Sequence, residues 1–295
     1  MKNITVFTPT YNRCEKLNRL YESLKLQSDL DFKWLIIDDG SSDNTKDLVN
    51  KIIDENKIET KYVYQKNSGK YKAYNKAVEI CDTDYMICVD SDDYLLDKAI
   101  SKLKFYINKI KLHEKEDILG FFFPRFDKSG KNYLINQNFK KMDIMDLKFE
   151  YKKNIETGIL VKTSYSKLCI FPLIADEKFL SEEIIYIDMS KYGKFIYIED
   201  FDIYVNDYQQ DGLTKNIYNV WKKSVISTLY FLNKRYKYLD KYNLKIRWIN
   251  RIKTIININA LCIECNKNIL KNTSNRLLSI LLFIPSIIWR KKFFK

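Results

Sequence analysis

The sequence predicts an α/β fold: a predominantly parallel sheet flanked by helices, with a C-terminal helical extension. Three observations point to it. Short β-rich runs alternate with amphipathic helical patterns through the first 120 residues, polar and acidic residues cluster just after those runs, and from residue 217 onward the pattern is helical to the end.

Residues 4–8, Ile-Thr-Val-Phe-Thr, are β-branched and aromatic and read as a strand. Residues 14–26 place Leu17, Leu20 and Leu24 at helical spacing. Residues 33–37 read as a strand, 43–53 as a helix, 60–64 as a strand, 70–80 as a helix and 85–89 as a strand. Strands and helices in this order form parallel neighbours joined by right-handed crossovers, and ligands of such sheets sit beyond the carboxyl ends of the strands. Further on, residues 118–123 and 194–198 are strand-like and 181–192 helical. A boundary near 216 divides the chain into a catalytic domain, 1–216, and a basic helical region, 217–295.

With 46% hydrophobic residues, seven Gly and four Pro in 295 residues, the chain is globular and neither collagen-like nor low-complexity. The single histidine, His113, removes His-based metal cages and Ser-His-Asp triads as engines of chemistry. Acid, base and hard-metal roles fall to carboxylates. Charge is distributed unevenly: residues 221–295 carry 17 Lys and Arg against Asp240 and Glu264, a net +15, while the whole chain is +13. A near-neutral front and a basic, Ile/Leu/Tyr-rich back suggest chemistry in front and attachment to something anionic behind. The six cysteines lack framework spacing and no signal peptide precedes Lys2, which fits a reducing cytoplasm. Cys262 and Cys265 form a lone C-x-x-C, read as ordinary helix positions because structural zinc needs four ligands.

The strand-end rule selects three segments. Asp90-Ser91-Asp92-Asp93 follows an apolar strand, so three carboxylates emerge on one turn. Such oxygens suit Mg2+ or Mn2+, which completes its octahedron with water and substrate phosphates; the competing reading makes Asp92 or Asp93 the cap of a helix starting near Leu96. Asp38-Asp39-Gly40-Ser41-Ser42-Asp43 follows the second strand, where a carboxylate can accept from a base N–H or ribose hydroxyls, with Ser42 or Asp43 available as a helix cap. Lys66-Asn67-Ser68-Gly69-Lys70 follows the third and brings a Gly, cations and a helix start, all favourable near phosphate. Neither a P-loop nor a G-x-G-x-x-G is present.

T-P-T-Y-N-R, D-D-G-S-S-D-N-T, N-S-G-K-Y-K-A-Y-N-K-A and V-D-S-D-D, in this order and spacing, resemble family 2 glycosyltransferases of the GT-A fold, most specifically over residues 1–100. The resemblance implies the Rossmann-like nucleotide-diphospho-sugar transferase fold and an inverting enzyme that uses a nucleotide-diphosphate sugar and Mn2+ or Mg2+. By the same resemblance Thr8, Pro9, Tyr11 and Arg13 line the nucleotide pocket, Asp39 meets the base, and Gly69 and Lys70 lie beside the nucleotide sugar. Asp90, Ser91 and Asp92 match the Asp-x-Asp motif, with Asp90 and Asp92 as metal ligands and Asp92 in direct contact. The general base of such enzymes is a carboxylate at a downstream helix start; here Glu177 to Glu183 offers it, with Glu182 assigned and Glu183 second, Glu-Glu standing where Glu-Asp is more frequent. The first-turn alternative makes both residues partners of the helix dipole. The Asp211-Gly212-Leu213-Thr214 turn resembles the one that follows this motif in polysaccharide-synthesising members.

Residues 277–289 are apolar, interrupted by Pro285 and followed by Arg290-Lys291-Lys292, the pattern of a segment lying on an anionic membrane surface. No stretch reaches the ~18 apolar residues of a spanning helix, and no nucleic-acid-binding motif accompanies the cations. The expected protein is thus a glycosyltransferase on the cytoplasmic face of the cell membrane, moving a sugar from a UDP-sugar to a hydroxyl of a glycan or lipid-linked glycan. The alternatives are a catalytically silent sugar-nucleotide-binding or scaffold homologue and a nucleotidyltransferase; the latter normally needs a Gly-rich basic loop after the first strand, which Thr8 to Arg13 is not.

Overall fold

The computed structural model describes residues 3–111, 117–127, 135–153, 155–174, 176–207 and 216–294. His113 and the Asp211-Gly212-Leu213-Thr214 turn lie outside the described residues. The chain divides into two compact units, Met1–Ile170 with Asp188–Gln209, and Phe171–Ile187 with Gln210–Lys295.

The first unit runs β1 (Ile4–Thr10), α1 (Cys14–Lys25), β2 (Lys33–Asp38), α2 (Thr45–Glu55), β3 (Glu59–Tyr64), α3 (Lys70–Ile80), β4 (Tyr85–Cys88), β5 (Tyr94–Leu95), α4 (Ala99–Lys111), β6 (Ile118–Pro124), β7 (Phe126–Asp127), β8 (Lys140–Met142), α5 (Ile144–Phe149), β9 (Thr157–Lys162) and α6 (Thr163–Leu168). After α7, described below, it closes with β10 (Lys194–Tyr197) and β11 (Tyr204–Asn206). The main sheet has the order β3-β2-β1-β4-β9-β6-β10-β8, and β5-β11-β7 form a second, small sheet. β3, β2, β1 and β4 are mutually parallel, as the alternating pattern predicts. β9 enters antiparallel between β4 and β6, so the sheet is mixed.

Burial follows position in the sheet. All seven residues of β1 are buried, as expected for a central strand covered on both faces. The edge strand β3 is exposed or half-buried throughout. Leu17, Leu20, Tyr21 and Leu24 of α1 pack into a core with Val6, Trp34, Ile36 and Ile87, where the Tyr21 and Trp34 rings stack at 5.9 Å. Gly120 in β6 has φ +153, and a Cβ there would lie 2.1 Å from the Leu160 carbonyl oxygen of β9. Only glycine allows these two strands so close an approach.

One alternative is overturned. β5 separates the acidic turn from α4, which begins at Ala99, so neither Asp92 nor Asp93 caps that helix. Asp43 does serve the start of α2, accepting from the Thr45 N–H at 3.1 Å and its hydroxyl at 2.6 Å.

The second unit is helical: α7 (Glu183–Met189, whose last two residues belong to the first unit), α8 (Ile217–Lys223), α9 (Val225–Tyr238), a 3-10 turn at Leu239–Lys241, α10 (Leu244–Glu264), α11 (Ile269–Asn272), α12 (Arg276–Leu281) and α13 (Phe283–Phe293). The Asn243, Asn268 and Asn275 side chains cap α10, α11 and α12 through the backbone N–H groups of Ile246, Lys271 and Leu278. Pro285 sits in the first turn of α13, where its missing N–H is not needed; the break in the apolar segment is Leu282. The Cys262-x-x-Cys265 pair closes α10, and burial pushes the Cys262 thiol up to about 12. Leu277, Ile280, Leu281, Ile284 and Ile288 of α12 and α13 are each at least 60% exposed. Among the described residues no helix is long and apolar enough to cross a membrane.

Candidate functional site

Parallel pairing brings three strand ends level. Thr10 of β1 is in register with Asp38 of β2, and Phe7 with Cys88 of β4. The loops carrying Tyr11 to Arg13, Asp39 to Asp43 and Asp90 to Asp93 therefore emerge along one edge.

The double aspartate after β2 builds the loops. Asp38 accepts from the Ser41 N–H at 2.8 Å and the Tyr62 hydroxyl at 2.7 Å. Asp39, 7% exposed, clamps the loop after β3: one carboxylate oxygen accepts from Gln65 Nε2 at 2.7 Å and the Ser68 N–H at 2.9 Å, the other from the Gly69 N–H at 2.8 Å. Asn12, at φ +49, ties the first loop to the second: its N–H donates to Ser41 Oγ at 2.9 Å, and its side-chain oxygen accepts from the Ser42 N–H at 2.7 Å. Gly40 (φ +88) is the tight point, since a Cβ there would lie 2.7 Å from the Asn67 backbone nitrogen. Gly40→Ala is expected to lower stability by about 1–3 kcal/mol and to displace the Asn67 to Gly69 loop; urea unfolding reads the loss.

Asp90 to Asp93 is a charge hub. Lys70, at the start of α3, pairs with Asp90 Oδ1 at 2.7 Å. Arg13 pairs with Asp92. Arg125, just after β6, reaches Asp90 Oδ2 at 3.4 Å and Asp93 Oδ2 at 3.3 Å. It donates to the Thr157 carbonyl at 2.9 Å and lies 4.2 Å over the Tyr204 ring. The Tyr204 hydroxyl donates to Asp93 at 2.9 Å and accepts from the Asp90 N–H at 3.0 Å. Asp207 donates its N–H to Asp93 Oδ1 at 3.0 Å, and Arg19 of α1 pairs with the Asp207 carboxylate and the Asp92 carbonyl. Burial pushes Asp93 up to about 6, reinforced by Asp90 and opposed by Arg125. Burial acts likewise on Asp90, but Lys70 and Arg125 outweigh it and hold its carboxyl at about 2.

The fold thus brings together Arg13, Lys70, Asp90 and Asp92 of the expected set. Gly69 and Asp39 form the adjoining loop, and Tyr11 stands at the edge, 48% exposed. Ser91 is buried in the acidic turn, and Thr8 and Pro9 are buried within β1, where the Thr8 hydroxyl accepts from Trp34 Nε1 at 3.0 Å. Sequence reasoning missed Arg19, Arg125, Tyr204 and Asp207. Arg125 carried a signal, since it lies two residues after the strand predicted over 118–123; Arg19 lies mid-helix and carried none.

Asp90 and Asp92 offer hard oxygen donors, and no group of three or more metal-ligating side chains occurs among the described residues. Two carboxylates suit Mg2+ or Mn2+ that takes its other ligands from water and phosphate, unlike Ca2+ in an all-protein cage. The donor set fits such an ion.

The base candidates belong to the second unit. Glu183 is held by Arg235 through two bonds, Nε to Oε2 at 2.6 Å and NH2 to Oε1 at 2.7 Å. Glu182 is exposed and accepts from the Tyr186 hydroxyl at 2.9 Å. Glu177 is buried and caps α9, accepting from the Ile226 and Ser227 N–H groups at 2.8 and 2.6 Å.

Comparison with known proteins agrees with this architecture. The family model described as Glycosyl transferase family 2 matches residues 5–175. The poly(ribitol-phosphate) beta-N-acetylglucosaminyltransferase TarP of Staphylococcus aureus strain N315 is 26% identical over 305 residues, covering 87% of this chain and 89% of that protein. Among solved structures, S. aureus TarS 1-349 in complex with UDP-GlcNAc superposes with a TM-score of 0.61 at 18% identity, covering 98% of this chain and 89% of that one. The mannosyltransferase PcManGT of Pyrobaculum calidifontis, in complex with GDP-Man and Mn2+, has a TM-score of 0.55 at 13% identity, covering 98% and 83%.

Proposed function

Because the chain belongs to glycosyl transferase family 2, we propose that it is an inverting, metal-dependent glycosyltransferase that moves a sugar from a UDP-sugar to a hydroxyl of a cell-surface glycan or its lipid-linked precursor. The observation that carries this reading is the meeting of Arg13, Lys70, Asp90 and Asp92 at the carboxyl edge of a parallel sheet, where such folds take their ligands. The UDP-GlcNAc bound by TarS, and the poly(ribitol-phosphate) in the name of TarP, favour a UDP-sugar and a polymeric acceptor. Catalytic chemistry is assigned to residues 1–216.

In this reading Tyr11 and the Asp39-braced loop receive the nucleoside, and Lys70 and Arg13 bind phosphate oxygens. Asp90 and Asp92 would hold Mn2+ or Mg2+, which supplies charge stabilisation to the departing diphosphate. Glu182 takes the proton of the acceptor hydroxyl as it attacks the anomeric carbon from the face opposite the leaving group. Thermal stabilisation by UDP, GDP, CDP and ADP, with and without Mn2+, tests the assignment. A Mn2+-dependent shift with UDP, weakened in Asp92→Asn, is the expected result; no shift with any nucleotide overturns it in favour of a silent scaffold.

The exposed apolar residues of α12 and α13 are assigned to the inner face of the cell membrane. They are followed by exposed Lys291 and Lys292, and the +15 of residues 221–295 suits anionic lipid. Leu281→Asp/Ile284→Asp is expected to abolish co-sedimentation with phosphatidylglycerol vesicles and leave the melting temperature nearly unchanged. Equal sedimentation of variant and parent overturns the assignment.

A further inference from the structure

The cations around the acidic turn differ in depth. Arg125 is 13% exposed and reaches Asp90 and Asp93, braced by the Thr157 carbonyl and the Tyr204 ring. Lys70 and Arg13 are 38% and 28% exposed and take up single oxygens of Asp90 and Asp92, Oδ1 and Oδ2 respectively. The rim cations therefore sit on the two carboxylates that suit a divalent ion, and both are also the cations placed to receive phosphate. Among the described residues Asp90, Asp92, Asp93 and Asp207 are paired with Arg13, Arg19, Lys70 and Arg125. A divalent ion arriving alone at Asp90 and Asp92 must displace a bound ammonium or guanidinium without offering it a new anion.

We propose that Lys70 and Arg13 are exchangeable counter-ions: in the ligand-free protein they neutralise Asp90 and Asp92, and they pass to the phosphate oxygens when a nucleoside diphosphate enters with its divalent cation. The inference rests on the sugar-nucleotide reading of this site. It gives the two side chains a second role as a gate on metal affinity. The exchange makes metal and diphosphate binding mutually dependent, because each supplies the charge that the other's arrival leaves unpaired, and such coupling is reciprocal. Arg125 has no part in the exchange, since its guanidinium is held by a carbonyl and an aromatic face as well as by carboxylates.

Free Mn2+, measured by electron paramagnetic resonance with and without UDP, tests this on the full chain. Lys70→Met and Arg13→Gln are each expected to bind Mn2+ alone about ten-fold more tightly than the parent. The factor by which UDP tightens Mn2+ is expected to shrink about ten-fold in each. Circular dichroism melting shows whether each variant is folded, and Lys70→Gln replaces Lys70→Met if it is not. Folded variants that bind Mn2+ no more tightly than a UDP-competent parent, or whose UDP coupling equals the parent's, overturn the exchange and leave the sugar-nucleotide reading standing. A parent that binds no nucleoside diphosphate at any Mn2+ concentration overturns both.

Discussion

Arg125→Met is expected to lower stability by about 3 kcal/mol or more, because it removes the cation of the buried Asp93 and one partner of the half-buried Asp90. For a chain of this size that is a fall in melting temperature of at least about 6–12 °C. Asp93 loses its cation but keeps the Tyr204 hydroxyl and the Asp207 N–H. Asp90 keeps Lys70 and loses its inner partner. The Tyr204 ring loses the guanidinium stacked 4.2 Å above it. Arg125→Lys keeps the charge but cannot contact the Thr157 carbonyl and two carboxylates while lying flat on a ring, so it is expected to recover only part of the loss. The pH dependence separates charge from packing. Asp90 is held at about 2 in the folded protein, below its unfolded value near ~3.9. The stabilisation it contributes is full above the unfolded value and is lost as pH falls towards 2. Removing Arg125 weakens that depression, so the variant's acid limb is expected to be shallower than the parent's. Equal melting temperatures for Arg125→Met and the parent would mean that the hub is solvated and the ion pairs count for little.

The reading of the first 90 residues from sequence succeeded because local and long-range signals agree there. Each strand of the parallel half is bounded by a turn, and α1 shows its core face through Leu17, Leu20 and Leu24. The acidic edge was legible because Asp38, Asp39, Asp90 and Asp92 all lie at or within four residues of the carboxyl end of a strand. What could not be read depends on contacts between distant segments. The antiparallel entry of β9 between β4 and β6 is set by partners far from residues 157–162 in the chain, with Gly120 making the close approach feasible. β5, β7 and β11 have two or three residues each, too few for a periodic signal, yet their pairing brings Tyr204 and Asp207 to the acidic turn. The role of Asp39 as the brace of the next loop is equally non-local. Its double-aspartate motif marked the place, whereas the partners Ser68 and Gly69 lie thirty residues downstream.

Glu182→Gln is expected to reduce kcat by roughly 10²–10⁴-fold, the range of a lost general base, with UDP affinity and melting temperature unchanged. The two neighbouring glutamates differ in what already holds them. Both oxygens of Glu183 are engaged by the Arg235 fork, and the side chains of that pair are 11% and 17% exposed. A carboxylate so paired is a poor proton acceptor, because protonation would break a charge-assisted bidentate contact. Its work is to join α7 to α9, and Glu183→Gln is expected to cost about 2 kcal/mol, a fall of about 4–8 °C, with near-parental turnover per folded molecule. Glu182 stands exposed one position earlier, and the 2.9 Å bond from the Tyr186 hydroxyl, one turn along α7, orients its carboxylate. A hydroxyl donor of that kind fixes the side chain in place, as the base role proposed for Glu182 requires. Parental transfer by Glu182→Gln would remove it as the base. Loss of transfer in Glu183→Gln at an unchanged melting temperature would move the role to Glu183, and Arg235 would then be a partner that must let go during turnover.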